Sequence, residues 1–264
     1  MMPRSNIFKR LRYYRLHVVG GTTLAIWLMA GCASSPATLA PTPVPAGAVL
    51  LSDVDTSVAQ EQVLKDGFDL LMNFDPLAAA AEFDKLILQC DKQFKDSPQQ
   101  VYASRSLQET LYYLSLAGAS NTDAIAVDSL CSQALYLKAY ANIELDDVEG
   151  AEQLLERAIA LSPANPTYLS ELGHIYHMRS HWQKSLVLFE RAEEFAERFS
   201  PPDLQIRELT RAKRGVAYSL IELGNLDAAE QKFNECLVLD PQDEASQREL
   251  EYIRSVRAKS LLEE

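Results

Sequence analysis

The sequence is poor in glycine and lacks the short motifs that mark many enzyme active sites. It has 10 glycines in 264 residues. It contains no phosphate-binding loop, no G-x-G-x-x-G dinucleotide turn, no G-x-S-x-G nucleophile elbow and no H-E-x-x-H metal site. The acidic residues fall mostly between apolar ones at solvent-facing positions, where a solvated surface is their usual role. The sequence therefore predicts a protein that is not an enzyme, with no catalytic residues and no cofactor.

Positive charge is also scarce. Lys and Arg number 25 against 37 Asp and Glu, which gives a formal net charge of −12. Five of the positive charges lie in residues 1–31, and a chain that begins at residue 32 carries −17. Such an acidic body argues against nucleic acid, or a bare anionic membrane surface, as a partner.

Cysteine occurs only four times. Apart from Cys32, the cysteines are Cys90, Cys131 and Cys236, an odd number that cannot pair completely within the chain. Cys236 is predicted to be a buried thiol, because the repeat pattern described below places a small core residue there. A disulfide between Cys90 and Cys131 stays open, since sequence does not give the distance between their Cα atoms.

Long apolar runs are few, and the run near the start of the chain is too short to span a bilayer. It covers residues 18–30, whereas a membrane-spanning helix needs about 20 apolar residues. The preceding segment is basic and has no acidic residue. This arrangement predicts a signal peptide over residues 1–31.

Small residues precede Cys32 in the sequence LMAGC at 28–32. The segment resembles a bacterial lipobox, in which the peptide is cut before the cysteine and the cysteine sulfur carries a diacylglycerol, although Met29 stands where Leu is more usual. Ordinary cleavage near residue 30 or 33, which releases a soluble protein, is the alternative. The uncharged, proline-rich residues that follow predict a disordered tether over 32–55.

Two adjacent segments of 34 residues, 132–165 and 166–199, share a pattern of small and large side chains. The pattern residues are Leu172, Gly173, Tyr176, Ser185, Phe189 and Ala192 in the second segment, and Ala139, Ala151, Leu155, Ala158 and Pro163 in the first. The period and pattern resemble the tetratricopeptide repeat, a pair of antiparallel helices whose small residues let the two backbones approach. The resemblance implies an all-α fold, a right-handed α-solenoid of helix pairs.

Other parts of the chain fit the same frame less evenly. Residues 210–243 match it closely, and 60–93 match it in degenerate form. The interruption at 200–209 begins with a Ser-Pro-Pro helix-start signal, so it is predicted to lengthen the next first helix at its beginning. Residues 244–264 predict a helix that caps the last repeat. A membrane-surface helix is the alternative, but the apolar stripe is too thin for it.

Residues 56–131 are predicted to hold the degenerate repeat and one further helix. Ser97 as N-cap and Pro98 at the first helical position predict a helix over 98–117, and turn residues at 118–123 end it. The apolar segment 124–130 is short. It is either a linker packed on the solenoid or the start of a second helix.

In tetratricopeptide-repeat proteins, certain positions of each first helix line the concave face. Carried onto this chain, the resemblance implies a protein-binding groove whose residues include Tyr136, Tyr140, Glu144, Ser170, His174, His177, Arg211, Arg214 and Tyr218. Aromatic side chains and Arg are enriched at recognition surfaces. The alternative is that Tyr140 and Tyr218 only pack against a neighbouring repeat or the additional helix.

Three histidines, His174, His177 and His181, are spaced as on one face of a single helix. Imidazole is a common metal ligand, but three residues spread over two turns of one helix rarely converge on an ion. We therefore predict no metal site and a polar lining of the groove.

The resemblance as a whole is to lipoproteins of the Gram-negative envelope. It implies a lipid-anchored scaffold on the periplasmic side of the outer membrane that binds envelope proteins or peptides and touches the membrane only through its anchor. Ala33 after the lipidated cysteine is similar to the outer-membrane sorting pattern. The competing hypothesis is an enzyme or small-ligand-binding protein with its site at 107–130. The sequence gives neither the partner nor the oligomeric state.

Overall fold

A computed structural model describes the backbone of residues 51–263 and the side chains of 58–259. The predicted signal peptide, Cys32 and the tether up to residue 50 lie outside the described residues. Within 51–263 there are ten helices and two short strands. The helices are α1 Leu51–Met72, α2 Pro76–Phe94, α3 Leu107–Ala119, α4 Leu130–Glu144, α5 Val148–Leu161, α6 Pro166–Met178, α7 Trp182–Phe199, α8 Pro202–Glu222, α9 Leu226–Leu239 and α10 Glu244–Glu263, and the strands are β1 Gln100–Ala103 and β2 Ala124–Val127. Helix α1 therefore begins inside the segment predicted to be a tether.

Eight of the ten described helices form four consecutive antiparallel pairs, α1–α2, α4–α5, α6–α7 and α8–α9, which confirms the predicted all-α solenoid. Position 15 of every 34-residue frame has a positive φ between the two helices of its pair, at Phe74, Asp146, Ser180 and Gly224. In three of the four pairs the next residue caps the second helix with its side chain, as Asp147 does for the Gly150 N–H at 3.0 Å. The degenerate frame at 60–93 thus uses the same tight turn as the others.

Small residues lie where the helices come closest. A Cβ added to Gly215 would lie 2.1 Å from the Phe189 ring, and one added to Gly173 would lie 3.0 Å from it. The ring of Phe189 therefore occupies space that exists only because α6 and α8 both carry glycine at the contact. Other small pattern residues are fully or almost fully buried, namely Ala79, Ala139, Ala151, Ala158, Ser185, Ala192, Ala217 and Ala229.

The last two helices close the array. The insertion at 200–209 does lengthen the first helix of its repeat, since α8 begins at Pro202. Helix α10 packs on α9, where Leu250 and Ile253 join a cluster with Phe233, and it is the predicted cap. Among the residues described, no helix has the length and apolarity to cross a membrane.

The segment between the first two repeats forms a β–α–β insertion, and the prediction of one helix over 98–117 is wrong. Ser106, whose side chain accepts from the Glu109 N–H at 3.2 Å, is the N-cap of α3, so the Ser97–Pro98 signal does not start it. Residues 100–103 instead form β1, which pairs in parallel with β2. The segment 124–130, left open by the sequence, is β2 and the beginning of α4.

A disulfide joins α2 to α4. Cys90 and Cys131 are bonded with their Cα atoms 5.9 Å apart, which settles the pairing that the sequence left open. The bond spans a sequence separation of 41 residues that contains the entire β–α–β insertion. Cys236 is a fully buried free thiol, as predicted, and burial raises its pKa to about 11.

Candidate functional site

Helices α4, α6 and α8 are the first helices of three successive repeats, and they carry the residues predicted to line the groove. We call the surface formed by those predicted residues the first-helix face. Side chains connect α4 to α6, because the Tyr136 and Tyr168 rings lie 5.2 Å apart and the Ser132 and Tyr168 hydroxyls are 3.2 Å apart. Helices α6 and α8 pack directly on each other. The three helices therefore present one continuous surface.

The centre of the first-helix face is built around the carboxylate of Glu171 on α6. Arg211 on α8 forms an ion pair with it at 2.5 Å, and the Tyr136 hydroxyl on α4 lies 3.5 Å from the same oxygen. Burial raises the pKa of Tyr136, and the charge of Glu171 adds to the effect. Burial lowers the pKa of His174, against the opposing effect of Glu171, so His174 is neutral at pH 7. This centre offers hydrogen-bonding groups but little net charge.

Aromatic rings lie beside this centre. The ring of His177 is 4.8 Å from that of Trp182 and 6.2 Å from that of Tyr218. Tyr218 in turn contacts Phe233 edge-on at 5.4 Å. Together the rings provide a rigid apolar area next to the polar centre.

The remaining predicted residues differ in how they are placed. Arg214 pairs with the buried Asp243 at 2.7 Å, which ties α8 to the start of α10. Tyr140 is half-buried and Glu144 is exposed at the end of α4. Ser170 is only 1% exposed, so its hydroxyl contributes no surface to a ligand.

The three histidines do not share one helix. Helix α6 ends at Met178, Ser180 has a φ of 60°, and His181 is an exposed residue in the turn. The interpretation of one helical face with three imidazoles is therefore wrong for His181. Within the part of the chain that the structure describes, no group of three or more His, Cys, Asp or Glu residues is arranged to hold a metal ion.

Polar groups do converge at the insertion, where the competing hypothesis places an enzyme or small-ligand site. Arg105 donates from Nε to Glu109 at 2.8 Å and from Nη1 to Glu208 of α8 at 2.7 Å. Thr167 also donates to Glu208, at 2.9 Å, and Ser200 donates to its other oxygen. Glu109 is 0% and Glu208 4% exposed. Because these groups satisfy one another in the interior, we interpret the cluster as a joint between the insertion and the solenoid.

A shallow apolar cleft of about 330 Å³ lies beside the disulfide. Phe94, Leu135 and Leu161 line it together with Cys90 and Cys131, and the exposed ion pair of Asp91 and Arg157 borders it. The charged residues that line it, Asp91, Lys95 and Arg157, are all exposed.

Several residues that contact the first-helix face were not predicted from the sequence as site residues. Glu171 is three residues before His174, and this spacing places both on one side of α6. The spacing was therefore a signal in the sequence that could have identified Glu171 as a site residue. Nothing local marks Asp243 as the partner of Arg214, or Trp182 as the neighbour of His177. Those contacts depend on how the helices pack.

Comparisons with known proteins agree with this fold. A profile of the tetratricopeptide-repeat family matches residues 119–166, less than a fifth of the chain. No curated protein sequence matches the chain significantly.

Solved structures extend the likeness over more of the chain. The yeast histone chaperone Hif1, described as a scaffold protein recruiting protein complexes to core histones, aligns over 77% of this chain and 95% of its own, with a TM-score of 0.50 and 13% identity. A double mutant of MamA from RS-1 aligns over 75% of this chain and 85% of its own, with a TM-score of 0.50 and 12% identity. At such low identity the likeness concerns the fold alone. The chain has the all-α tetratricopeptide-repeat fold.

Proposed function

We propose, from this tetratricopeptide-repeat fold, that the chain is a lipid-anchored scaffold of the bacterial envelope, on the periplasmic side of the outer membrane, and that it binds partner proteins or peptides through the first-helix face. The observation that carries the proposal is the combination of a polar centre at Glu171 with the ring cluster of His177, Trp182 and Tyr218. Aromatic anchors beside satisfied polar groups are typical of protein-recognition surfaces. The solenoid brings these residues together from two successive repeats, and the Tyr136 hydroxyl of the preceding repeat lies 3.5 Å from Glu171.

The two arginines of this face already form ion pairs within the protein. Arg211 is held by Glu171 and Arg214 by Asp243, so both cations already have carboxylate partners. A partner of this face is therefore expected to bind mainly by burying apolar surface and by hydrogen bonds to groups such as Tyr140 and His174. One structural relative, Hif1, is described as a scaffold protein, but its partners do not transfer to this chain at 13% identity.

Two features support the envelope location. The LMAGC segment at 28–32 has the small residues that a lipobox needs before Cys32, and this segment lies outside the described residues. The disulfide between Cys90 and Cys131 is typical of an oxidising compartment such as the periplasm. The two features are independent of each other.

The binding face is tested by capture from envelope extract with the full-length protein and two matched variants. We expect Tyr140→Ala with His174→Ala to lower the yield of specific partners at least about tenfold, because central interface aromatics dominate binding energy. The control, Tyr252→Ala with His181→Ala, removes the same two residue types from α10 and from an exposed turn. Its yield should equal that of the wild type.

Quantitative mass spectrometry measures the yields, and thermal unfolding shows that both variants fold. If both variants retain the same partners in equal amount, binding does not occur through the first-helix face.

The anchor is tested separately. We expect Cys32→Ser to abolish labelling by radioactive palmitate and to make processing of the protein insensitive to globomycin, because the modified sulfur is gone. The protein should then leave the outer-membrane fraction. Unchanged processing and fractionation of the variant would show that residue 32 is not lipidated.

A further inference from the structure

The β–α–β insertion carries a sheet with one uncovered edge. Strands β1 and β2 pair in parallel, with Gln100 opposite Ala124 and Ala103 opposite Val127. The carbonyls of Asp123 and Val127 accept hydrogen bonds from the N–H groups of Gln100 and Ser104, so they face β1. Because alternate residues of a strand direct their main-chain groups to opposite sides, those of Ala124 and Ala126 point away from β1.

The outer sides of the two strands differ. On β1, Ser162 of the solenoid donates its hydroxyl to the Ala103 carbonyl at 2.6 Å, and Gln100 donates to the Val101 carbonyl at 3.3 Å. On β2, the N–H and C=O groups of Ala124 and Ala126 have no hydrogen bond to any other residue of the described chain. Both alanines are half-exposed. An edge of this kind is a template for another strand.

The two faces of the sheet show what side chains an added strand needs. Helix α3 covers one face, where Tyr113 stacks on Tyr102 with the ring centroids 5.4 Å apart. On the other face, β1 packs against α4 and α5, so its residues Val101 and Ala103 are only 8% and 0% exposed. The neighbouring residues of β2 on that face, Ile125 and Val127, are only half-buried. Apolar side chains of an incoming strand would complete their burial.

Exposed carboxylates stand at both ends of β2. Asp123 precedes the strand and Asp128 follows it, and both are exposed. Opposite charges across neighbouring strands are favourable and like charges are not. A complementary strand therefore has Lys or Arg at its two ends and apolar residues between them.

The same carboxylates disfavour a second copy of this chain as the occupant. Two copies of β2 that pair antiparallel through Ala124 and Ala126 bring Asp123 of one copy next to the position of Asp128 in the other. Two such like-charge contacts would form, and the chain as a whole already carries a net charge of −12.

We propose that β2 is a docking edge for an extended segment of a partner protein, apolar at alternate positions and basic at both ends, which adds to the insertion as a third strand. This surface is separate from the first-helix face. Main-chain hydrogen bonds at Ala124 and Ala126 hold the segment, and Asp123 and Asp128 select its charge.

The test uses the full-length protein in detergent and a blocked decapeptide of alternating Val and Thr between two Lys residues at each end. Fluorescence anisotropy measures the affinity, and hydrogen exchange reports on the amides of residues 124 and 126. We expect the peptide to slow exchange at these two amides. A peptide with Glu in place of Lys should bind at least about tenfold more weakly, because it reverses four charges beside the two carboxylates.

Two variants separate the backbone contacts from the charge contacts. Ala126→Pro removes an outward N–H and spares the bonds to β1, as proline does on an edge strand, and it should weaken binding of the Lys peptide by more than tenfold. Asp123→Asn with Asp128→Asn keeps the oxygen that accepts from the Leu130 N–H. This double variant should weaken binding of the Lys peptide about three- to tenfold. If Ala126→Pro does not fold, the Asn pair takes its place, and unchanged affinity of that variant for the Lys peptide would contradict the proposal.

Three results would overturn the proposal. One is equal affinity for the Lys and Glu peptides, and another is unchanged exchange at residues 124 and 126 in the presence of saturating peptide. The third is a dimer in sedimentation equilibrium that Ala126→Pro dissociates, which would make a second copy the occupant.

Discussion

Replacing Arg105 by Met is expected to lower the free energy of unfolding by about 3–5 kcal/mol at neutral pH. The guanidinium is the only cation shown to contact the carboxylates of Glu109 and Glu208 in the described chain, at 2.7 Å in each case. Burial disfavours its charged form, but Glu208 and Glu109 outweigh that effect and raise the pKa of Arg105. Methionine fills similar space and leaves two buried carboxylates without a counter-charge.

A rescue variant distinguishes loss of charge pairing from loss of packing. Changing Glu109 and Glu208 to Gln in the Arg105→Met background removes both buried charges and keeps an oxygen that accepts from Thr167 at 2.9 Å. We expect it to recover at least half of the lost stability. Arg157→Met is the control, because its ion pair with Asp91 is about half exposed and is expected to contribute less than about 1 kcal/mol.

Urea denaturation followed by circular dichroism at 222 nm measures all of these variants. A loss below about 1 kcal/mol for Arg105→Met, equal to that of the control, would contradict the role of Arg105 as the joint between the insertion and α8.

Removing the disulfide has an expected effect of similar size. Replacing Cys90 and Cys131 by Ala should cost about 4 kcal/mol, the loop-closure value for a separation of 41 residues. The bond restrains the unfolded chain around the β–α–β insertion and fastens α2 to α4 in the folded state. The unfolding midpoint of the oxidised wild type should therefore lie well above that of the reduced protein.

The other cysteine provides the control for this experiment. Cys236→Ala should leave the difference between oxidised and reduced protein unchanged, because its thiol is free and buried beside the Thr210 carbonyl of α8, away from the disulfide. The variant without Cys90 and Cys131 should not respond to reductant at all. Equal midpoints for oxidised and reduced wild type would show that the bond does not stabilise the fold.

The helix pairs could be predicted from the sequence because their information is local. Small residues such as Gly173 and large ones such as Phe189 recur at fixed spacing, and the packing of the structure uses them at those positions. The start of α8 at Pro202 and the cap by Ile253 also follow from local signals, a Pro-Pro helix start and an apolar stripe. Period and amphipathicity were sufficient for these elements.

The insertion could not be predicted in the same way. Strand β1 pairs with a segment 24 residues further along the chain, and four residues are too few to show an alternating pattern. The Ser97–Pro98 pair has the chemistry of a helix start, but the following residues bury Val101 and Ala103 as a strand on the solenoid. Tertiary packing overrides the local signal there.

For the candidate site, the sequence predicts which residues lie on the first helices. It does not predict how exposed their side chains are or which residues they pair with. Tyr136, His174 and Arg211 do meet around one carboxylate. Ser170 occupies an equivalent position and is buried. Ion pairs such as Arg214 with Asp243 join residues far apart in the chain, so no local pattern reveals them.

Site-specific photo-cross-linking in living cells tests the binding face most directly. p-Benzoylphenylalanine in place of Tyr140 puts the probe on the first-helix face, and the same probe in place of Val187, 47% exposed on α7, puts it on a second helix. Binding through the first-helix face predicts discrete ultraviolet-dependent adducts from position 140 that are absent at 187. Adducts at 187 alone, or identical adducts at both positions, would contradict it.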